Sequence, residues 1–113
     1  MTSERIVIVG AGPAGVRAAE VLLAAGLRPT VLDEAPASGG QIYRQPPPEL
    51  RRAYSELYGF EAPKAKRLHD AFEHLRDAVD YRPGRMVWNL QRNHLHILHA
   101  GDGETVPFDH LIL

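Results

Sequence analysis

Residues 6–15, Ile-Val-Ile-Val-Gly-Ala-Gly-Pro-Ala-Gly, run an apolar strand directly into a Gly-x-Gly-x-x-Gly turn. Few short segments restrict a fold as strongly, because each glycine answers a separate steric demand. Gly10 permits a tight turn, Gly12 lets backbone come close to a pyrophosphate, and Gly15 allows a helix to lie close on a strand. A glycine cluster alone says little. Here a continuous β-branched strand, Arg5–Val9, precedes the turn, and Ala14, Ala18, Val21, Leu22 and Ala25 follow it at helical spacing. Pro13 sits where a first helical turn tolerates a missing N–H, and Gly26 is placed to cap the other end.

A second apolar run, Pro29–Asp33, ends in an acid at the interval such a turn requires, about 20 residues on. Strand, helix and strand in that order form a βαβ unit with parallel strands. Free N–H groups at the helix start and the helix dipole favour a phosphate there. Asp33 would then accept hydrogen bonds from the ribose hydroxyls of an adenosine and repel a 2′-phosphate, with Glu34 one register step away as a competitor. To this point NAD and FAD fit equally. Gly39-Gly40, inside Ser38-Gly39-Gly40-Gln41, favours FAD, because glycines just beyond the ribose acid let backbone amides run beside a long ligand.

Residues 35–48 read as a Pro- and Gly-rich connector whose three successive prolines exclude helix. Two helices are then expected, one with Leu50, Ala53, Tyr54, Leu57 and Tyr58 on its apolar stripe and Gly59 at its end. The other carries Leu68, Ala71, Phe72, Leu75 and Val79, with Pro63 near its start. From Tyr81 onward the chain reads as β-rich. Met86–Leu90 and His94–Ala100 are expected strands, Gly101-Asp102-Gly103 an expected hairpin turn, and His110–Leu113 a further apolar run.

Composition removes several alternatives. The chain of 113 residues has a formal net charge of −1, so no global field favours nucleic acid or an anionic membrane. It contains no cysteine, which excludes disulfides, thiolate metal sites and a redox dithiol within it. No apolar stretch reaches transmembrane length, and the first residues lack a signal-peptide layout, so a cytoplasmic location is expected. His94 and His96 would share a strand face and His69 and His74 do not align on a helix; no metal site is expected from them. Tyr43 and Arg44 follow the glycine pair and are candidates to approach a flavin or its substrate. A strand ending the chain in Leu-Ile-Leu is expected to belong to a longer protein, of which residues 1–113 would be an N-terminal portion of one domain.

Taken together, Ile6–Gly15, Val31-Leu32-Asp33-Glu34 and Gly39-Gly40-Gln41-Ile42-Tyr43-Arg44-Gln45-Pro46 resemble the N-terminus of flavoproteins with two dinucleotide-binding domains, the pyridine nucleotide-disulfide oxidoreductase-like superfamily. The Gly-Gly-Gln-Ile-Tyr-Arg-Gln stretch resembles FAD subunits of the opine oxidase, hydrogen cyanide synthase, dye-linked proline dehydrogenase and sarcosine oxidase alpha type. The resemblance covers this whole chain and about a quarter of such a protein. It implies an α/β, Rossmann-like FAD/NAD(P)-binding fold, a parallel sheet with a β-meander, truncated at the C-terminus. It implies that Gly10, Gly12, Pro13, Ala14 and Gly15 line the pyrophosphate and that Asp33 with Glu34 holds the ribose. Gly39, Gly40 and Gln41 would follow the ligand toward the flavin, and the backbone at Val87 would meet adenine. The implied activity is oxidation of an amine, amino-acid or opine-like donor by hydride transfer to FAD, with partner subunits and with NAD(P) only in a region absent from this chain. Where disulfide reductases of the superfamily carry a cysteine pair after Gly-Gly, this sequence has Gln41-Ile42-Tyr43, which excludes that chemistry for these residues. No general base stands out. An NAD(P)H-dependent flavoprotein reductase, a single-domain NAD-dependent dehydrogenase and a non-catalytic nucleotide-binding module stay open as alternatives.

Overall fold

The computed structural model describes residues 4–35, 39, 45 and 53–113. Strand β1 (Ile6–Val9) enters the glycine turn and helix α1 (Pro13–Ala24), which leads to β2 (Thr30–Leu32). A short helix α2 (Tyr54–Tyr58) and one 3₁₀ turn (Gly59–Glu61) precede helix α3 (Ala62–Leu75) and β3 (Asp80–Arg82). Then come β4 (Met86–Gln91), β5 (His94–His99), β6 (Asp102–Pro107) and β7 (His110–Ile112).

The sheet order β3-β2-β1-β7 is parallel throughout, with Ile8 beside Val31 and Ile112, and Val31 beside Tyr81. The chain moves outward from β1 through β2 to β3, then returns to the other flank of β1. That reversal makes the carboxyl end of β1 a topological switch point, where open α/β sheets bind ligands. The three remaining strands form the antiparallel sheet β4-β5-β6.

Alternation explains why β1 and β2 are apolar without a break. Ile8 and Val31 face α1 and α3, packing with Val16, Ala19, Phe72 and Leu75. Val7 and Leu32 face the other way, onto Leu95, Ile97, Val106 and Phe108 of the meander and its exit. The molecule is therefore three layers deep, and the parallel sheet is buried on both sides.

Helix α1 begins with Pro13 and ends in a Schellman motif: Gly26 at φ 81° donates to Leu23 and Leu27 donates to Leu22. Several boundaries depart from the sequence expectation. Strand β1 starts at Ile6, and Asp33 lies just beyond β2. Gly59 opens a 3₁₀ turn at φ 57° that continues into α3, and α3 stops at Leu75, so Val79 is buried in the loop ahead of β3. The hairpin expected at Gly101-Asp102-Gly103 turns at Ala100-Gly101, at φ 51° and 86°, with His99 opposite Asp102. Two positive φ values in a two-residue link match the twist of the strands, and Asp102 and Gly103 are thereby freed to join β6. Strands β3 and β6 carried no separate signal of their own. Trp88 forms a bulge, with Val87 opposite Ile97 and Asn89 opposite His96.

Candidate functional site

The glycine turn follows β1 at the switch point. Gly10 holds φ 108°, a conformation L side chains rarely adopt, and its N–H donates to the Leu32 carbonyl at 2.7 Å. Gly15 has another constraint. A Cβ there would lie 1.9 Å from the Gly10 carbonyl oxygen, so the first turn of α1 seats directly on the turn that precedes it. Gly12 is the N-cap residue at φ −83° and ψ −170° and, as a glycine, offers no side chain to cap the helix. The Ala14 and Gly15 N–H groups have no partner within the helix, whose first amide bond runs from Val16 to Gly12. Pro13 and Ala14 are exposed, and the first turn holds no acid. This end of α1 therefore carries amide donors without a helical partner, Ala14 exposed and Gly15 buried, and a partial positive charge.

Asp33 lies beside the turn. It is 7% exposed, whereas Glu34 is exposed to solvent. Burial raises the Asp33 carboxyl above its ordinary value, opposed by hydrogen bonds from the backbone N–H groups of Ala35, Ala11 and Glu34. Oδ2 is nonetheless buried with no hydrogen-bond partner among the described residues. A carboxylate oxygen in that condition is costly, and its satisfaction by a ligand hydroxyl is a straightforward remedy.

Two further contacts gather distant sequence around Asp33. The Gly39 N–H donates to the Ala11 carbonyl at 2.9 Å, so the buried Gly39 rests on the fingerprint turn. The Arg85 N–H donates to the Asp33 carbonyl at 2.8 Å and Gly84 donates to Ala35 at 3.3 Å. The start of the meander is thus hydrogen-bonded to the end of β2. Val87 lies two residues further, half-buried on β4 against the Val7–Leu32 cluster. Gly40, Gln41, Tyr43 and Arg44 lie outside the described residues. Ala11, Gly84, Arg85 and Tyr81 adjoin this region but are not legible as site residues in the sequence. Only Pro83-Gly84 carried a signal, as a turn; the others touch the site through backbone atoms or across strands, which periodicity does not report.

The histidines do not converge. His94 and His96 share the outer face of β5, where His96 Nε2 lies 3.1 Å from Gln91 Oε1. His69 is buried and bonds the Tyr54 hydroxyl through Nδ1 at 2.8 Å, a packing role between α2 and α3. Among the described residues no group of three or more histidines and acids is placed to hold a metal ion, and no helix is long and apolar enough to cross a membrane.

Residues 4–113 match the family model of the pyridine nucleotide-disulphide oxidoreductases. The chain belongs to that family, whose members are flavin-dependent oxidoreductases. It is 36% identical over 120 residues to one of the subunits of opine oxidase from Rhizobium meliloti, a match spanning 96% of this chain and 22% of that protein. It is 31% identical over 115 residues to the HcnB subunit of hydrogen cyanide synthase from Pseudomonas protegens, spanning 95% and 23%. The fold is similar to that of L-proline dehydrogenase from P. horikoshii, with a TM-score of 0.67 at 15% identity over 97% of this chain and 22% of that one. The chain thus spans less than a quarter of the length of these relatives.

Proposed function

We propose that these residues hold the adenosine and pyrophosphate end of FAD in an oxidoreductase that takes a hydride from an amine, amino-acid or opine-like donor. The observation that carries the cofactor reading is the buried Asp33 Oδ2, unpartnered among the described residues, beside a helix start whose N-cap is a glycine. One feature asks for a hydroxyl donor and the other for an anion, and an adenosine diphosphate group supplies both. The similarity to the opine oxidase protein supports the donor class. That relative and the cyanide synthase protein are both named as subunits, which supports partner subunits for the complete protein. A cytoplasmic location belongs to the same proposal.

Each residue has a definite task in this reading. The Ala14 and Gly15 amides, reached past Gly10, Gly12 and Pro13, bind the pyrophosphate. Asp33 accepts from the ribose, with Glu34 outside it. Gly39, continuing through Gly40 and Gln41, lets the chain follow the ligand, and the backbone at Val87 meets the adenine edge. Bound FAD supplies the hydride acceptor, a capacity no side chain has. The protein's part is to bind, orient and shield, and no residue of this chain is proposed as a general base.

The test is a titration of purified protein with FAD followed by flavin fluorescence, together with the visible spectrum of the protein as isolated. Saturable binding with NAD much weaker supports the reading; no flavin binding removes it. The donor class is tested separately, by a donor screen with an artificial dye acceptor on the longest polypeptide that contains this segment.

A further inference from the structure

Besides Asp33 Oδ2, the Tyr81 hydroxyl is buried without a hydrogen-bond partner among the described residues. The two groups are neighbours by register. Val31 pairs with Tyr81 and Leu32 with Arg82, and the Asp33 N–H donates to the Arg82 carbonyl, so the ladder continues to the acid. Strand alternation puts Val31 and Asp33 on one face, the face on which Val31 and Tyr81 pack with Phe72. Asp33 and Tyr81 are therefore diagonal partners across β2 and β3 at the sheet's carboxyl edge. The carboxyl is near enough that its charge acts on the Tyr81 phenol.

The phenol is held in place. Its ring meets Phe72 edge-on at 4.6 Å between centroids, and the Arg76 guanidinium lies 5.6 Å above it. Burial and the negative charge of Asp33 push its ionisation up to about 12, so it is a neutral O–H donor under ordinary conditions. A carboxylate only accepts, whereas a phenol can donate. Neither group has a hydrogen-bond partner among the described residues, and a single oxygen that gives a proton to Asp33 and accepts one from Tyr81 would satisfy both.

We infer that Tyr81 is a second ribose-reading residue: a ribose hydroxyl of the adenosine ligand donates to Asp33 Oδ2 and accepts from the Tyr81 hydroxyl. This rests on the cofactor reading proposed above. It makes recognition of the hydroxyl two-sided, so that a deoxyribose leaves both protein groups unsatisfied.

The test uses ADP, 2′-deoxy-ADP and 3′-deoxy-ADP, each titrated calorimetrically into the wild-type protein and Tyr81→Phe, which keeps the ring against Phe72. The wild type should bind ADP about tenfold more tightly than at least one deoxy analogue. Tyr81→Phe should weaken ADP while leaving that analogue nearly unchanged, shrinking the preference. An identical preference in both proteins overturns the inference and leaves the cofactor reading intact, since a bridging water or nothing would then join the pair. Failure of ADP to bind the wild type overturns both. Asp33→Asn is the second variant: Tyr81 alone should keep a residual preference for ADP over the same analogue, and equal affinities there overturn the inference.

Discussion

The Gly39 N–H donates to the Ala11 carbonyl at 2.9 Å, joining the connector after β2 to the middle of the fingerprint turn. Ala11 uses both of its backbone groups locally, since its own N–H binds the Asp33 carboxylate. The turn, the acid and Gly39 are thus joined through Ala11, whose N–H binds the Asp33 side chain and whose carbonyl accepts from Gly39. This coupling separates the arrangement from three isolated loop features.

Gly15→Ala is the sharpest steric test of the turn. The added methyl would lie 1.9 Å from a backbone oxygen, which no rotamer change relieves. We expect a stability loss of about 1–3 kcal/mol or more, in the range of core overpacking, together with loss of nucleotide binding. Urea denaturation checks the first and a flavin titration the second.

Ile97→Ala tests how the meander is attached. Ile97 is fully buried among Val7, Leu32 and Leu95, so truncation leaves a cavity between the two sheets. The expected cost is about 2–5 kcal/mol. Hydrogen exchange should show the amides of β4–β6 losing protection before those of β1 and β2.

Much of this was legible in the sequence because the residues concerned obey local rules. The β1–α1–β2 unit is written in β-branched runs, a Pro at the helix start and a Gly after its end. Asp33 is found by distance from the turn. Strand β3 was not visible, since Asp80–Arg82 is a three-residue, half-polar segment ordered by pairing with β2. Strand β6 begins at Asp102 and Gly103, residues with turn chemistry, because the positive φ values fall on Ala100 and Gly101 instead. The contacts of Arg85 with Asp33 and of Gly39 with Ala11 are backbone pairings between remote segments. No side-chain pattern encodes them.

Asp80 predicts an acid-side response. Its hydrogen bond with Arg82, at 2.7 Å, holds its carboxyl below the ordinary 3.8 against the opposing effect of burial. A depressed carboxyl stabilises the fold above its unfolded value and loses that contribution as pH falls through the folded one. Asp80→Asn should therefore destabilise by no more than about 1 kcal/mol at pH 7, because the pair is about one-third exposed. The difference in melting temperature from wild type should shrink as pH falls below 3.8 and vanish only below the folded carboxyl's own, lower value. Asp33 has the opposite sign: its raised carboxyl makes a contribution present below 3.8 that is lost as pH rises through its folded value.

In the proposed function, Asp33 and the glycine turn together hold the adenosine end of FAD. Calorimetric titration of FAD into the wild-type protein and Asp33→Asn tests it most directly. Saturable one-to-one binding by the wild type is expected, with an affinity at least about tenfold weaker for the variant, from loss of a charged hydrogen bond. Equal affinities in the two proteins, or no saturable binding by the wild type, would contradict it.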